Sequence, residues 1–236
     1  MVVLRSSRLS EAGFAHAFPQ RGTVDVDLLR VLGVDVVAQA KQVHGAYAIE
    51  AFDVGATEAD AIIGRSAGRA ARAAIAVGVR VADCVPVLVG DRASGDVAAI
   101  HAGWRGIVAG VLRSGIERLS GSAPVVAIGP CIGPCCFEVG RDVASEIARA
   151  CPGMDAVVRV AGDKAFVDLR VAVRAQLRAL GVGDASIDDV PGCTRHEVAR
   201  FHSFRRDGST SGRMLAAITA SSYGKTADAG ARPRST

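Results

Sequence analysis

Residues 73–106 read AAIAVGVRVADCVPVLVGDRASGDVAAIHAGWRG. Ala73–Val81 and Val85–Val89 are rich in β-branched residues, which suit the pleated surface of a strand. Val97–His101 reads as a third, buried strand, and DRASG (91–95) before it is a turn by composition. Pro86 has no N–H to donate, so it belongs at a strand start or an irregular edge. Cys84 then lies at a break between two extended segments, and His101 at the end of the third. No helix separates these strands, so strict strand–helix alternation is already broken here.

Downstream, Gly106–Leu119 is predicted as a helix, Val125–Ile128 as a strand, and Glu138–Ala150 as a second helix. Between them lies the loop GPCIGPCC (129–136), a rigid connection held by Pro130 and Pro134 or a backbone nest; connection is the preferred reading. Asp168 can cap a helix whose stripe is Leu169, Ala172, Val173, Leu177 and Leu180, with Gly181 as its stop. Ser186–Val190 is a predicted strand and Pro191–Arg195 a turn. Phe201–Arg206 and Met214–Thr219 read as a final antiparallel pair joined by DGSTSG. Upstream, Val24–Leu32 is a predicted helix ending at Gly33, and Val34–Ala40 a strand that ends near His44. The expected fold is a single α+β domain with mixed sheets over residues 1–222, with a frayed tail at 223–236.

The chain has 236 residues, half of them hydrophobic, which is ample for a core. A net charge of +4, with no basic stripe interleaved with aromatics, argues against nucleic-acid binding. Lys occurs only at 41, 164 and 225 while Arg is abundant, a compositional bias that makes any single Arg weak evidence of a role. No early segment resembles a secretion signal and no apolar run is long enough to span a bilayer, so a cytoplasmic protein without a membrane partner is expected. In that compartment the six cysteines are expected as thiols. Cys131 and Cys135–Cys136 lack zinc-knuckle spacing, and no second pair is placed to complete a four-sulfur site.

His44 in KQVHG, Cys84 in VADCVPVL and His101 in AIHAGWRG are the candidate site. Two imidazoles and a thiolate suit zinc, and three protein ligands leave one coordination position for water or substrate. Small neighbours (Gly45, Ala82, Ala102, Gly103) leave room for the ligands to approach. A buried Cys as an inert small hydrophobe and a hydrogen-bonded core His are the competing readings. His16, His196 and His202 compete for the ligand roles. Asp83 either orients a ligand or closes a turn. Arg105, beside the start of the helix after GWRG, either offers a donor fork suited to phosphate or carboxylate or is solvated in a tight strand-to-helix turn in which Trp104 packs. If 201–206 is a strand, Arg205 and Arg206 point to opposite faces and at most one reaches a given pocket.

Taken in order, QVHG, ADCVPVL, HAGWRG, IGPCIGPCCFEVG, the Cys-Thr at 193–194 and SFRRDGSTSGRM closely resemble the bacterial YfiH family. That family has been labelled laccase-domain or polyphenol oxidase, and later purine nucleoside phosphorylase or peptidoglycan-editing factor. The resemblance implies a mixed β-sandwich flanked by helices, related to a toxin deamidase fold with a Cys/His site. It implies His44, Cys84 and His101 as metal ligands, with zinc the usual ion and copper the older assignment. It also implies purine nucleosides and phosphate as substrates: phosphorolysis of adenosine, inosine, guanosine and methylthioadenosine, and deamination of adenosine. Within that frame the site lies at the floor of a pocket. Arg105 is the candidate phosphate holder with Lys41 or Arg206 as a second cation, and Asp83 is the candidate general acid by its place in the sequence, alongside Cys84 and His101 as catalytic residues.

Three alternatives stand beside it. One is a metal-free Cys/His hydrolase with Cys84 as nucleophile and His101 as base. Another is copper-dependent phenol oxidation, which five histidines ill supply. The third is a non-catalytic module linked to cell-wall precursors. Two departures from the family pattern are visible: GFAHAFPQRGTVD is shorter than the family's N-terminal stretch and lacks its FxTRxGG-like run, and Gly64 stands where a Thr is expected after ADAII.

Overall fold

The structure, a computed structural model, describes residues 3–53, 57–66, 76–151 and 153–220. The tail expected to fray at 223–236 and the first residues of the strand expected from Ala73 lie outside them. Three sheets organise the described chain. The central one has six strands in the order β13 (Ile187–Asp189), β9 (Pro124–Ile128), β7 (Val85–Asp91), β8 (Val97–Ala102), β5 (Ala61–Gly64) and β4 (Ala48–Glu50). The second has five: β1 (Val3–Leu4), β2 (His16–Pro19), β14 (Met214–Thr219), β6 (Ala76–Val81) and β3 (Val37–Ala38). A small third sheet joins β10 (Glu138–Gly140), β12 (Lys164–Val167) and β11 (Val157–Ala161). Pairing is mixed: β9–β7–β8–β5 is antiparallel, while β13–β9, β4–β5 and β3–β6 are parallel. The fold is α+β.

The alternation of side chains along a strand separates the layers. Leu88 of β7, Val97 and Ala99 of β8 and Ile62 of β5 face Val77, Val79 and Val81 of β6 and Ala216 and Ile218 of β14, forming the interior between the two large sheets. Val85, Val87 and Val89, with Ala98, Ile100 and Ala102, point the other way. They pack on a helical layer of α3 (Trp104–Ala109), α4 (Val111–Ile116), α5 (Arg141–Arg149) and α6 (Leu169–Ala179) through Ile107, Leu112, Ile147, Val173 and Leu177. The outer face of the five-stranded sheet packs Ala17, Leu215 and Ala217 against Leu28 and Leu32 of α2 (Asp25–Leu32). The central strands therefore read as continuous apolar runs because both faces are covered.

α2 and α6 form where the sequence places them. Gly33 takes the left-handed conformation that ends α2, with φ 68°. Asp168 accepts the backbone N–H of Arg170 at 2.9 Å, capping α6.

Elsewhere the elements differ from expectation. The helix expected over Gly106–Leu119 begins at Trp104 and is split in two at Gly110, whose φ of 88° cannot continue a right-handed helix. The first three residues of the expected helix Glu138–Ala150 are instead β10, paired with β12. The final hairpin does not form. Residues 201–206 are a loop and the short helix α7 (Phe204–Asp207), capped by Ser203 Oγ accepting from the Arg206 N–H at 3.2 Å. β14 pairs instead with β6 and β2, antiparallel to both. The strand expected over Val34–Ala40 is only Val37–Ala38, so His44 is carried by a loop. Pro86 is the second residue of β7 and needs no donor there; its carbonyl accepts the Gly129 N–H at 2.8 Å.

Candidate metal centre

β7 and β8 run antiparallel with Pro86 opposite His101, so the residue before β7 and the end of β8 lie side by side. That register brings Cys84 to His101. The loop 41–47 crosses the same corner and adds His44. The Nδ1 or Nε2 atoms of His44 and His101 and the Cys84 Sγ all lie within 4.8 Å of one another. The two imidazoles meet edge to face with centroids 4.8 Å apart. His101 is buried, Cys84 half-buried and His44 exposed, so the cluster opens to solvent on the His44 side.

Small residues permit this convergence. A Cβ on Gly103 would stand 3.0 Å from Cys84 Sγ and 3.1 Å from His44 Cδ2. One on Gly106 would stand 2.9 Å from the Gly45 carbonyl oxygen. Two non-glycine residues beside the cluster occupy left-handed backbone, His44 at φ 61° and Asp83 at φ 87°. Such conformations persist when their surroundings over-determine them. Asp83 is held by Thr194, whose hydroxyl donates to Oδ1 at 2.6 Å, and by the Arg205 backbone N–H, which donates to Oδ2 at 2.6 Å. Its carboxylate thus joins the Cys84 corner to the 193–206 segment.

His44 is held by Asp60, a residue the sequence did not single out. Asp60 is fully buried. Its carboxylate accepts the backbone N–H groups of Val43 at 3.2 Å, His44 at 3.0 Å and Gly45 at 2.7 Å. The same carboxylate lies 2.7 Å from His101 Nδ1. A proton on Nδ1 makes that contact a hydrogen bond and leaves Nε2 as the lone-pair nitrogen for a metal. The only signal in the sequence is a lone acid between Ala59 and Ala61 at the head of an apolar strand.

Burial opposes the charged forms of Cys84, His101 and Asp60, and their neighbours overcome it. The Cys84 thiol, which burial alone would raise, is brought down to about 7 by hydrogen bonds from His101 and His44. Burial disfavours the His101 imidazolium, yet Asp60 and then Cys84 raise it to about 9. The Asp60 carboxyl is held below its ordinary value because His101 and the Gly45 N–H outweigh desolvation. The two groups thus push each other toward the thiolate at Cys84 and the imidazolium at His101.

The other candidate residues have different surroundings. Arg105 is exposed, and its guanidinium stacks 4.4 Å from the Trp104 ring centroid. Lys41 is paired with Glu58 at 2.8 Å on the surface. Arg206 spends its donors on the fold, at both Asp207 oxygens and the carbonyls of Thr194, Arg195 and Phe201. Of the competing histidines, His16 is buried between the Ser6 N–H and the Phe14 carbonyl. His202 lines a separate cleft with Pro19, Asp25, Arg213 and Met214. All six cysteines are free. Among the described residues, no helix is long and apolar enough to cross a membrane.

A two-sheet α+β sandwich with a Cys/His cluster at one corner defines the class. The model of the family described as multi-copper polyphenol oxidoreductase laccase matches residues 25–221. The chain belongs to this laccase-domain family, which includes the YfiH proteins. It is 37% identical over 207 residues to adenosine deaminase RL5 from an unknown prokaryotic organism, covering 79% of this chain and 77% of that one. It is 36% identical over 181 residues to a purine nucleoside phosphorylase of Pseudomonas aeruginosa, covering 75% and 71%. The crystal structure of YlmD from Geobacillus stearothermophilus superposes with a TM-score of 0.70 at 29% identity, covering 88% of this chain and 89% of that one.

Proposed function

We propose that this chain is a zinc-dependent purine nucleoside enzyme. Its reactions are phosphorolysis of adenosine, inosine, guanosine and methylthioadenosine, and deamination of adenosine. The observation that carries the reading is the convergence of His44, Cys84 and His101 within 4.8 Å, in a chain whose relatives bear the names purine nucleoside phosphorylase and adenosine deaminase.

The donor set fits zinc. One sulfur and two nitrogens meet with an open side toward solvent, and the Asp60 carboxylate fixes the ring nitrogen that His101 presents. When bound, zinc would supply Lewis acidity and an ionisable water at neutral pH.

The chain's own groups do the rest. Asp60 holds the proton at His101 Nδ1 and keeps the ring oriented. Asp60 also locks the His44 loop through three backbone N–H groups. Gly103 keeps the approach to Cys84 clear. Arg105, stacked on Trp104 and exposed, is the proposed phosphate holder, with Lys41 joining it after parting from Glu58. Asp83 acts as a positioning residue through Thr194 and Arg205. Arg206 has the same kind of role, bracing the segment that holds Asp83.

The test is product analysis with adenosine and inosine, with and without phosphate, on protein of known metal content. The expected products are ribose 1-phosphate with free base when phosphate is present, and inosine from adenosine. Failure to form either product removes the enzymatic reading. Activity that survives complete zinc removal but is lost on thiol alkylation would instead assign the chemistry to Cys84 as nucleophile and His101 as base.

A further inference from the structure

Cys135, Cys136, Cys193 and His196 also gather their donor atoms within 4.8 Å of one another, apart from the His44 cluster. Cys135 Sγ lies 3.6 Å from Cys136 Sγ, 3.7 Å from Cys193 Sγ and 3.3 Å from His196 Nδ1. A tetrahedral zinc with arms of about 2.3 Å to sulfur holds its sulfurs about 3.8 Å apart, and sulfur from nitrogen slightly less. The three separations from Cys135 are close to the edges of that cage, and the remaining pairs lie within 4.8 Å. They do not match a disulfide, whose sulfurs lie about 2.05 Å apart.

We propose that these four residues form a second, closed metal site for zinc or a similarly soft dication, with three sulfurs and one imidazole as ligands.

The backbone is shaped for it. Cys131 and Cys193 form an isolated parallel bridge, with the Thr194 N–H donating to the Cys131 carbonyl at 3.0 Å. This sets the 129–136 loop against the 193–197 turn. The Gly133 N–H donates to Cys193 Sγ at 3.3 Å, a contact that stabilises a thiolate. A Cβ on Gly133 would stand 3.3 Å from both Cys135 Sγ and Cys193 Sγ, so glycine lets the sulfurs meet. Cys136 is buried, Cys193 half-buried, and Cys135 and His196 exposed, so an ion can enter from solvent. Local spacing gives no warning of the site, because Cys193 is 58 residues beyond Cys135.

Four protein ligands leave no position for substrate, so the role is structural. The ion clamps the loop to the turn whose Thr194 holds Asp83 beside Cys84. It therefore braces one wall of the first cluster, and it does so whether or not the chain acts on nucleosides.

The test uses the full chain purified under reductant from zinc-supplemented cultures. Elemental analysis is expected to find two zinc ions per chain. One should remain in Cys135→Ser/Cys193→Ser and one in His44→Ala/Cys84→Ser. Cobalt loaded into the second variant should give strong thiolate-to-metal charge transfer and intense visible bands of tetrahedral ligation. His196→Ala, a change at an exposed side chain, guards against misfolding of the serine variant and should weaken the second site at least tenfold. One zinc per chain in the unmodified protein, lost entirely in His44→Ala/Cys84→Ser with no cobalt charge transfer, would overturn the proposal. A Cys135–Cys193 disulfide in the reduced preparation would overturn it too.

Discussion

Asp60 Oδ1 and His101 Nδ1 lie 2.7 Å apart, with both side chains essentially sealed from solvent. One carboxylate thereby orients the most buried nitrogen donor and, through three backbone N–H groups, the loop that carries the most exposed one.

Asp60→Asn tests that coupling. The amide keeps the size and one acceptor oxygen, so the fold should survive. The anion that fixes His101 is gone, and zinc affinity should fall about 10–100-fold, as is usual when the partner of a metal-bound histidine is lost. Competition titration with a chromophoric chelator measures it. An unchanged affinity would mean that Asp60 serves the loop alone.

Gly103→Ala probes the space the ligands need. The new methyl would sit 3.0 Å from Cys84 Sγ and 3.1 Å from His44 Cδ2, so both must give by a few tenths of an ångström. Zinc content should drop while thermal unfolding of the metal-free protein changes little. Equal losses in both would point to a packing defect rather than a displaced ligand pair.

Gly64→Thr restores the residue expected from the family pattern. Here a Cβ would approach Val97 Cγ2 at 2.9 Å and Val77 Cγ1 at 3.2 Å, in the apolar interior between the sheets. Overpacking of this kind costs about 1–3 kcal/mol. Urea unfolding should show a lower midpoint with an unchanged slope; a neutral result would show that β5 and β6 can move apart.

His16 makes acid stability pH-dependent. Its ring is fully buried, accepting the Ser6 N–H at one nitrogen and meeting the Phe14 carbonyl at the other. Desolvation lowers its pKa from 6.5, with the nearby Arg5 adding to the shift and the Phe14 and Asp188 contacts only partly offsetting it. The unfolded chain therefore binds a proton before the native state does. The stabilising contribution is complete above pH 6.5 and is lost as pH falls through the lower native value, at up to about 1.4 kcal/mol per pH unit. Unfolding free energy from pH 8 to 4.5 should show this slope in the native sequence, and His16→Gln should flatten it. A slope that persists in the variant would assign it to other groups.

Legibility followed the range of the interactions. α6 was readable because its apolar stripe and its Asp168 cap are both encoded within one short segment. Residues 201–206 were not. Their two aromatic residues suggest a strand, but a Ser203 cap and the Asp83 carboxylate, which takes the Arg205 N–H from 122 residues away, override it. The family motifs marked His44, Cys84 and His101, but Asp60 carried no local sign. Nor did the Cys135 cluster, whose members looked wrongly spaced for zinc because half of its ligands come from a distant turn.

Composition and pattern alone determined a mixed α+β chain, and the family motifs marked His44, Cys84 and His101 as one candidate site. Those properties depend on residue type and on neighbours a few positions away. Only the tertiary structure decided which strand pairs with which, that Asp60 joins His44 to His101, that Arg206 is consumed by the fold, and that a second set of sulfurs converges. Each of these depends on side chains brought together by sheet register and loop closure, and nothing local in the chain encodes such distances.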